Sequence, residues 1–123
     1  MNNKVNQITD DECVKCSVAT LLWKRYDEVP NFMKLAKSNN SSWLIELQNW
    51  LGKEHSLEVL DHTLKPDVDF YLGIGESNNG QGHCVVMYKG EIWHDPSGIG
   101  IKKFDSWITI KWKIATDAHG SGY

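Results

Sequence analysis

His83-Cys84-Val85-Val86-Met87-Tyr88-Lys89-Gly90-Glu91-Ile92-Trp93-His94-Asp95-Pro96 is the stretch on which the fold turns. Its first six residues are a largely apolar run of strand length. Lys89-Gly90 is a two-residue turn, and Glu91 to His94 returns as the hairpin partner. Such a hairpin brings His83 and Asp95 near the same end of adjacent strands. His94, one residue before Asp95, points to the other face.

Working outward, more strands follow and precede this hairpin. Residues 107–114 alternate Trp107, Thr109, Lys111, Lys113 against Ile108, Ile110, Trp112, Ile114, the period of a half-buried strand. Val68 to Ile74 reads as a strand, and Ser56 to Leu60 as a short, partly β-branched one. Gly75 to Gly82 reads as a loop, and residues 116–123 as a frayed tail. The first half of the chain has a different period. Val14, Ser17, Val18, Leu21 and Leu22 recur at helical spacing, which predicts a helix over residues 13–24. Pro30 marks a turn into a short helix over 31–38. Asn39-Asn40-Ser41-Ser42 is loop chemistry, with either serine able to cap. Trp43, Leu44, Leu47, Trp50 and Leu51 then form an amphipathic helix ending near Gly52. Helices first and strands after gives an α+β domain, with N-terminal helices packed on an antiparallel sheet.

The bulk properties exclude several classes. A chain of 123 residues that is 41% hydrophobic suffices for one domain with a real core. The net charge of −3, with no basic stripe, speaks against nucleic acid. No run approaches the roughly 18 apolar residues that span a bilayer, and the N-terminus lacks a signal-peptide core, so no membrane partner is expected. Three cysteines, an odd number, fit reduced thiols and a cytoplasmic location better than a disulfide framework. The six tryptophans are expected to fill the core and rim a groove.

Cys13 is the candidate nucleophile. A thiol at a helix N-terminus gains from the helix dipole and from unpaired backbone donors. Asp10, Asp11 and Glu12 oppose that gain, so a cationic partner is needed, and His83 as imidazolium can supply it. Asp95 can accept from the imidazole and fix its tautomer. Gln7, or Asn6 in a shifted register, can offer a side-chain amide to an oxyanion beside the Cys13 N–H. Trp43 and Trp93 are expected to edge the cleft, with Gly82 and Asn79 from the glycine-rich loop as further ligand contacts. Cys13-Val14-Lys15-Cys16 is also a C-x-x-C sequence, which elsewhere is redox-active or binds zinc. It lacks the βαβ setting of a redox site. His83 and Cys84 face opposite sides of a strand and cannot easily share one metal. No metal and no cofactor is therefore expected. Gly73-Ile74-Gly75 with Gly80 opens no helix and is discounted as a phosphate loop.

Assembled, these residues resemble small papain-like proteins of the C39-like and NlpC-like type, and in particular a group of short phage and bacterial proteins. The likeness lies in Cys13-Val14-Lys15-Cys16-Ser17-Val18-Ala19-Thr20-Leu21-Leu22, in Asp27-Glu28-Val29-Pro30-Asn31-Phe32, in the helix Trp43 to Leu51, and in His83-Cys84-Val85-Val86 with Gly90 to Gly98. It covers roughly residues 5–100. Asp11-Glu12, where a glycine and a small polar residue are usual, and Cys84, where a small residue is usual, depart from the pattern. The resemblance implies a papain-like fold with Cys13 as nucleophile, His83 as base, Asp95 as orienting acid and Gln7 as oxyanion donor. It implies a cysteine peptidase, amidase or deconjugating enzyme acting on a peptide or small amide. The alternative is a catalytically silent module of the same fold that holds a small molecule or a host protein.

Overall fold

A computed structural model of the chain describes residues 4–112. Four helical elements come first: α1 (Cys13–Leu21), a 3-10 turn over Tyr26–Glu28, α2 (Phe32–Asn39) and α3 (Trp43–His55). Five strands follow: β1 (Leu57–His62), β2 (Phe70–Ser77), β3 (Gly82–Tyr88), β4 (Glu91–His94) and β5 (Ile101–Trp112). The strands form one antiparallel sheet in the order β1-β5-β2-β3-β4, and the three α-helices pack on it in an α+β arrangement.

Local chemistry sets the helix ends. Asn31 caps α2 by accepting from the Lys34 N–H at 3.0 Å, and Ser42 caps α3 by accepting from Ile45 at 3.2 Å. α1 stops at Leu21, short of the expected residue 24, where Trp23 takes a left-handed φ of 60°. α3 runs through Gly52 to His55 and ends on left-handed Ser56. A mid-helix glycine costs about 1 kcal/mol. Full burial of Leu47 and Leu51 in the same helix outweighs that.

The strands also shift from expectation. β2 runs on to Ser77, so the glycine-rich loop shrinks to residues 78–81. It continues because β3 and β5 pair with it on both sides, Gly75 lying opposite His83 and Phe104. A Cβ at Gly75 would stand 2.1 Å from the Lys103 carbonyl oxygen, so only glycine fits at this bulge. β5 begins at Ile101, six residues before the expected start at 107. Its expected end at 114 and the expected frayed tail lie outside the described residues.

The main core lies between helices and sheet. Val14, Val18, Phe32, Leu47 and Leu51 meet Leu72, Cys84, Val86 and Ile108 there. Tyr71, Val85 and Met87 form a smaller cluster with Phe104 and Trp107 on the other sheet face. Alternation along β3 assigns its residues to the two clusters in turn. No helix among the described residues is long and apolar enough to cross a membrane.

Candidate functional site

α1 lies against β3, and a buried hydrogen bond fixes that contact. Ser17, one turn after Cys13, donates from its hydroxyl to the Cys84 carbonyl at 3.0 Å. The first residue of α1 is thereby held over the start of β3, where His83 stands. Cys13 and His83 line one cavity of about 390 Å³.

His83 and Asp95 form the strongest polar contact at this site. His83 Nε2 lies 2.6 Å from Asp95 Oδ1, and the two side chains are only 6% and 13% exposed. The Asp95 carboxylate is set in a tight turn. Its Oδ1 accepts from the N–H groups of Ser97 and Gly98, both at 3.1 Å, and its Oδ2 from Gly100 N–H at 2.7 Å. The Ser97 hydroxyl sits 3.2 Å from His83 Nε2 and 3.3 Å from Asp95 Oδ1. Burial alone raises the Asp95 pKa; the His83 hydrogen bond and the backbone donors outweigh burial and hold it below the ordinary carboxylate value. With Nε2 committed to a carboxylate, the imidazole carries its proton there, and Nδ1 is the basic nitrogen.

A bulge in the hairpin makes this pairing work. Met87 pairs with Ile92, but Val86 pairs with His94, so Trp93 is the extra residue. An unbroken ladder would set Asp95 opposite Cys84, on the helix face of the sheet. The bulge shifts Asp95 by one position, onto the face of His83. Lys89 and Gly90 both take positive φ, 50° and 89°, as the two-residue turn requires.

The Cys13 thiol contacts Met33. Its Sγ lies 4.0 Å from Met33 Sδ, and among the described residues no hydrogen bond joins it to His83. Cys13 is 5% exposed, and burial pushes its pKa up. Backbone hydrogen bonding from Cys84, Val14 and Cys13 itself works the other way, and the Asp95 charge adds to the rise. The dipole advantage expected at this helix end is thus outweighed by desolvation, and the resting group is the neutral thiol.

The acid directly before Cys13 is tied to the N-terminal segment. Glu12 is the N-cap residue of α1, yet its side chain caps nothing there. Its Oε1 accepts from Ile8 N–H at 2.8 Å and Thr9 N–H at 3.0 Å, and its Oε2 accepts from the Tyr26 hydroxyl. Burial raises its pKa, but these three donors lower it on balance. The same carboxylate pushes the Tyr26 hydroxyl up to about 12. Glu12 therefore folds the N-terminal segment onto α1. Val5 N–H donates to Thr20 Oγ1 at 2.9 Å, and His94 Nε2 meets the Val5 carbonyl at 2.8 Å.

That segment carries Gln7. Its N–H donates to the Pro96 carbonyl at 3.0 Å, beside the Asp95 turn. Its side-chain amide donates to the Thr9 carbonyl at 3.0 Å, and its buried Oε1 has no partner among the described residues. Gln7 is held near the site but does not line the cavity, and Asn6 is exposed. Trp43 and Gly82 line the cavity together with Cys13 and His83. Trp93 and Asn79 are not among the lining residues. Trp93 packs edge-on against Phe70 at 5.2 Å, under the Lys4 ammonium. Asn79 accepts from the Ser77 hydroxyl and the Gln81 N–H within its own turn.

The remaining cysteines are buried and free. Burial, then the Glu12 charge, pushes the Cys16 thiol up to about 12. Among the described residues, no cluster of three or more His, Cys, Asp or Glu side chains stands close enough to hold a metal ion. Ser17, Met33 and Ser97 are parts of the site that sequence reasoning missed. Only Ser97 carried a signal, since Asp-Pro-Ser-Gly is a turn sequence. No protein-family model matches the chain, and neither a curated protein nor a solved structure matches it at a significant level.

Proposed function

We propose that this protein is a cysteine-dependent hydrolase of papain-like type, working through Cys13, His83 and Asp95 on a peptide or small amide. The observation that carries the reading is the buried His83–Asp95 pair at 2.6 Å, whose histidine lines the same cavity as a cysteine at a helix N-terminus. In this reading His83 Nδ1 takes the Cys13 proton, and the thiolate attacks the substrate carbonyl. The oxyanion meets the Cys13 N–H and, after its amide leaves Thr9, Gln7. His83 returns the proton to the departing amine, and a thioester remains. Water activated by His83 then releases the acid and restores the thiol. The first step requires the Cys13 sulfur to meet the imidazole in place of its contact with Met33. Three free thiols fit a reducing cytoplasm.

The second reading is a binding module for a small molecule or host protein. The thiol's contact with Met33 and its raised pKa favour it. One experiment separates the two. The protein is treated with iodoacetamide at neutral pH, and the modified thiol is mapped by peptide mass. Catalysis predicts selective modification of Cys13 that falls at least tenfold in His83→Ala. Equal labelling of Cys13 in wild type and His83→Ala refutes the hydrolase.

A further inference from the structure

The cavity's walls differ in character. Met33, Trp43 and Ile74 supply apolar lining, with Met33 Sδ 4.0 Å from the Cys13 sulfur. Asp10 and Asp11 stand on the side of the α1 N-terminus, and among the described residues the lining includes no lysine or arginine. Neighbouring cations are largely engaged elsewhere. Lys15 lays its ammonium over the Tyr26 ring at 3.8 Å, and Lys4 over Trp93 at 4.5 Å. Lys34 lies close enough to Asp11 to favour its ionised form. Asp11 accepts from the Thr9 hydroxyl at 2.8 Å and the Asn31 amide at 3.2 Å, both at Oδ1. Those bonds fix the carboxylate in place. A cavity with a fixed negative end and an apolar wall selects by charge as well as by shape.

We infer that the ligand of this cavity is cationic: an amide or peptide whose apolar side chain seats on Met33, Trp43 and Ile74 and whose ammonium or guanidinium group meets Asp10 and Asp11. The inference rests on the hydrolase reading only for the step that consumes such a ligand. There Cys13 forms a thioester with the acyl group, the C–N bond breaks, the amine leaves with the thiol proton, and water regenerates the thiol.

The test uses small electrophiles, so that it reads the cavity without requiring turnover. Three N-benzyl chloroacetamides are compared, bearing a para-aminomethyl group, no substituent, or a para-carboxylate. N-methyl chloroacetamide serves as the ringless control. In each case the S–C bond forms at Cys13, chloride leaves and the thiol proton passes to solvent. Rates are read as adduct on the Cys13 peptide and normalised to the same reagent's rate with glutathione. The ammonium reagent should label Cys13 roughly tenfold faster than the carboxylate reagent at low salt. The ratio should fall to about threefold or less in 0.5 M NaCl and in Asp10→Asn. The unsubstituted benzyl reagent should exceed the ringless one. Equal normalised rates for the ammonium and carboxylate reagents overturn the inference, as does failure of all four to label Cys13. Charge selectivity that persists while His83→Ala leaves labelling unchanged retains the inference and discards the hydrolase.

Discussion

Replacing Asp95 by asparagine keeps the side chain's size and removes its charge and one acceptor. In the native turn, Oδ1 receives His83 Nε2 at 2.6 Å and the Ser97 and Gly98 N–H groups at 3.1 Å, while Oδ2 receives Gly100 N–H at 2.7 Å. An asparagine has one oxygen for these two sites. If that oxygen takes the Oδ1 place, its amide nitrogen faces the Gly100 N–H, donor against donor. If it takes the Oδ2 place, the nitrogen faces His83, and the imidazole must carry its proton on Nδ1 to accept there. The second arrangement removes the base that the proposed chemistry needs. Either one loses a charge-assisted bond, worth about 1.5–3 kcal/mol, and strands at least one donor at about 1–3 kcal/mol. The side chain is 13% exposed, so solvent screening is small.

Asp95→Asn should therefore destabilise the protein by about 2–4 kcal/mol, a fall in Tm of roughly 8–16 °C for a chain of this size. Urea unfolding at pH 7 measures the loss, and nitrogen NMR of the His83 ring reads the tautomer. The sign of the pH dependence follows from the lowered Asp95 pKa. Its contribution is present above the unfolded value near 3.8 and is lost as pH falls through the folded value. The gap between wild type and Asp95→Asn should therefore shrink below about pH 4. A loss below about 0.5 kcal/mol at pH 7, or a gap that widens below about pH 4, refutes the account of this turn.

Glu12→Gln should cost about 1–2 kcal/mol and speed amide exchange at Ile8 and Thr9, because one neutral amide replaces a carboxylate held by three donors. The Glu12 pKa is lowered as well, so this loss too should vanish in acid; unchanged exchange rates would count against the clamp. Leu47→Ala, at a fully buried position, should destabilise by about 2–5 kcal/mol in thermal or urea unfolding. Gly75→Ala should cost about 1–3 kcal/mol or more, since the Lys103 and Phe104 backbone must move; a neutral result would show that the bulge yields easily.

The α+β order, a serine cap ahead of α3 and the Lys89-Gly90 turn were legible because each rests on neighbours in sequence. Periodicity, capping oxygens and positive-φ residues act over a few positions. Gly52 misled because its cost is local while the burial that overrides it is tertiary. The loop expected after Ile74 became strand for the same reason, since only pairing with β3 and β5 extends it. At the site, the candidates His83 and Asp95 are joined, but through a bulge at Trp93 that no pattern in Glu91-Ile92-Trp93-His94 announces. Counting residues along an unbroken hairpin sets Asp95 on the wrong face. Glu12 was legible only as negative charge beside a cysteine. Its burial and its three donors emerge when Tyr26 and the N-terminal segment close on it.

The raised pKa of Cys13 bears on how the site works, beyond whether it works. Burial opposes a lone thiolate there, and Asp95 adds to the opposition. Asp95 opposes only as an uncompensated charge, however. When the proton moves from Cys13 to His83, the imidazolium and Asp95 become a paired couple at 2.6 Å, and the thiolate gains a cation in place of a distant anion. Thiolate and imidazolium therefore form together, by one proton transfer. Met33 holds the thiol in the neutral alternative. A ligand that fills the space beside Met33 displaces that contact and excludes water, which strengthens the ion pair at the moment the carbonyl arrives. In the proposed hydrolase, occupancy of the cavity therefore adds to an activation by His83 that selective, His83-dependent labelling of Cys13 in the free protein must still reveal.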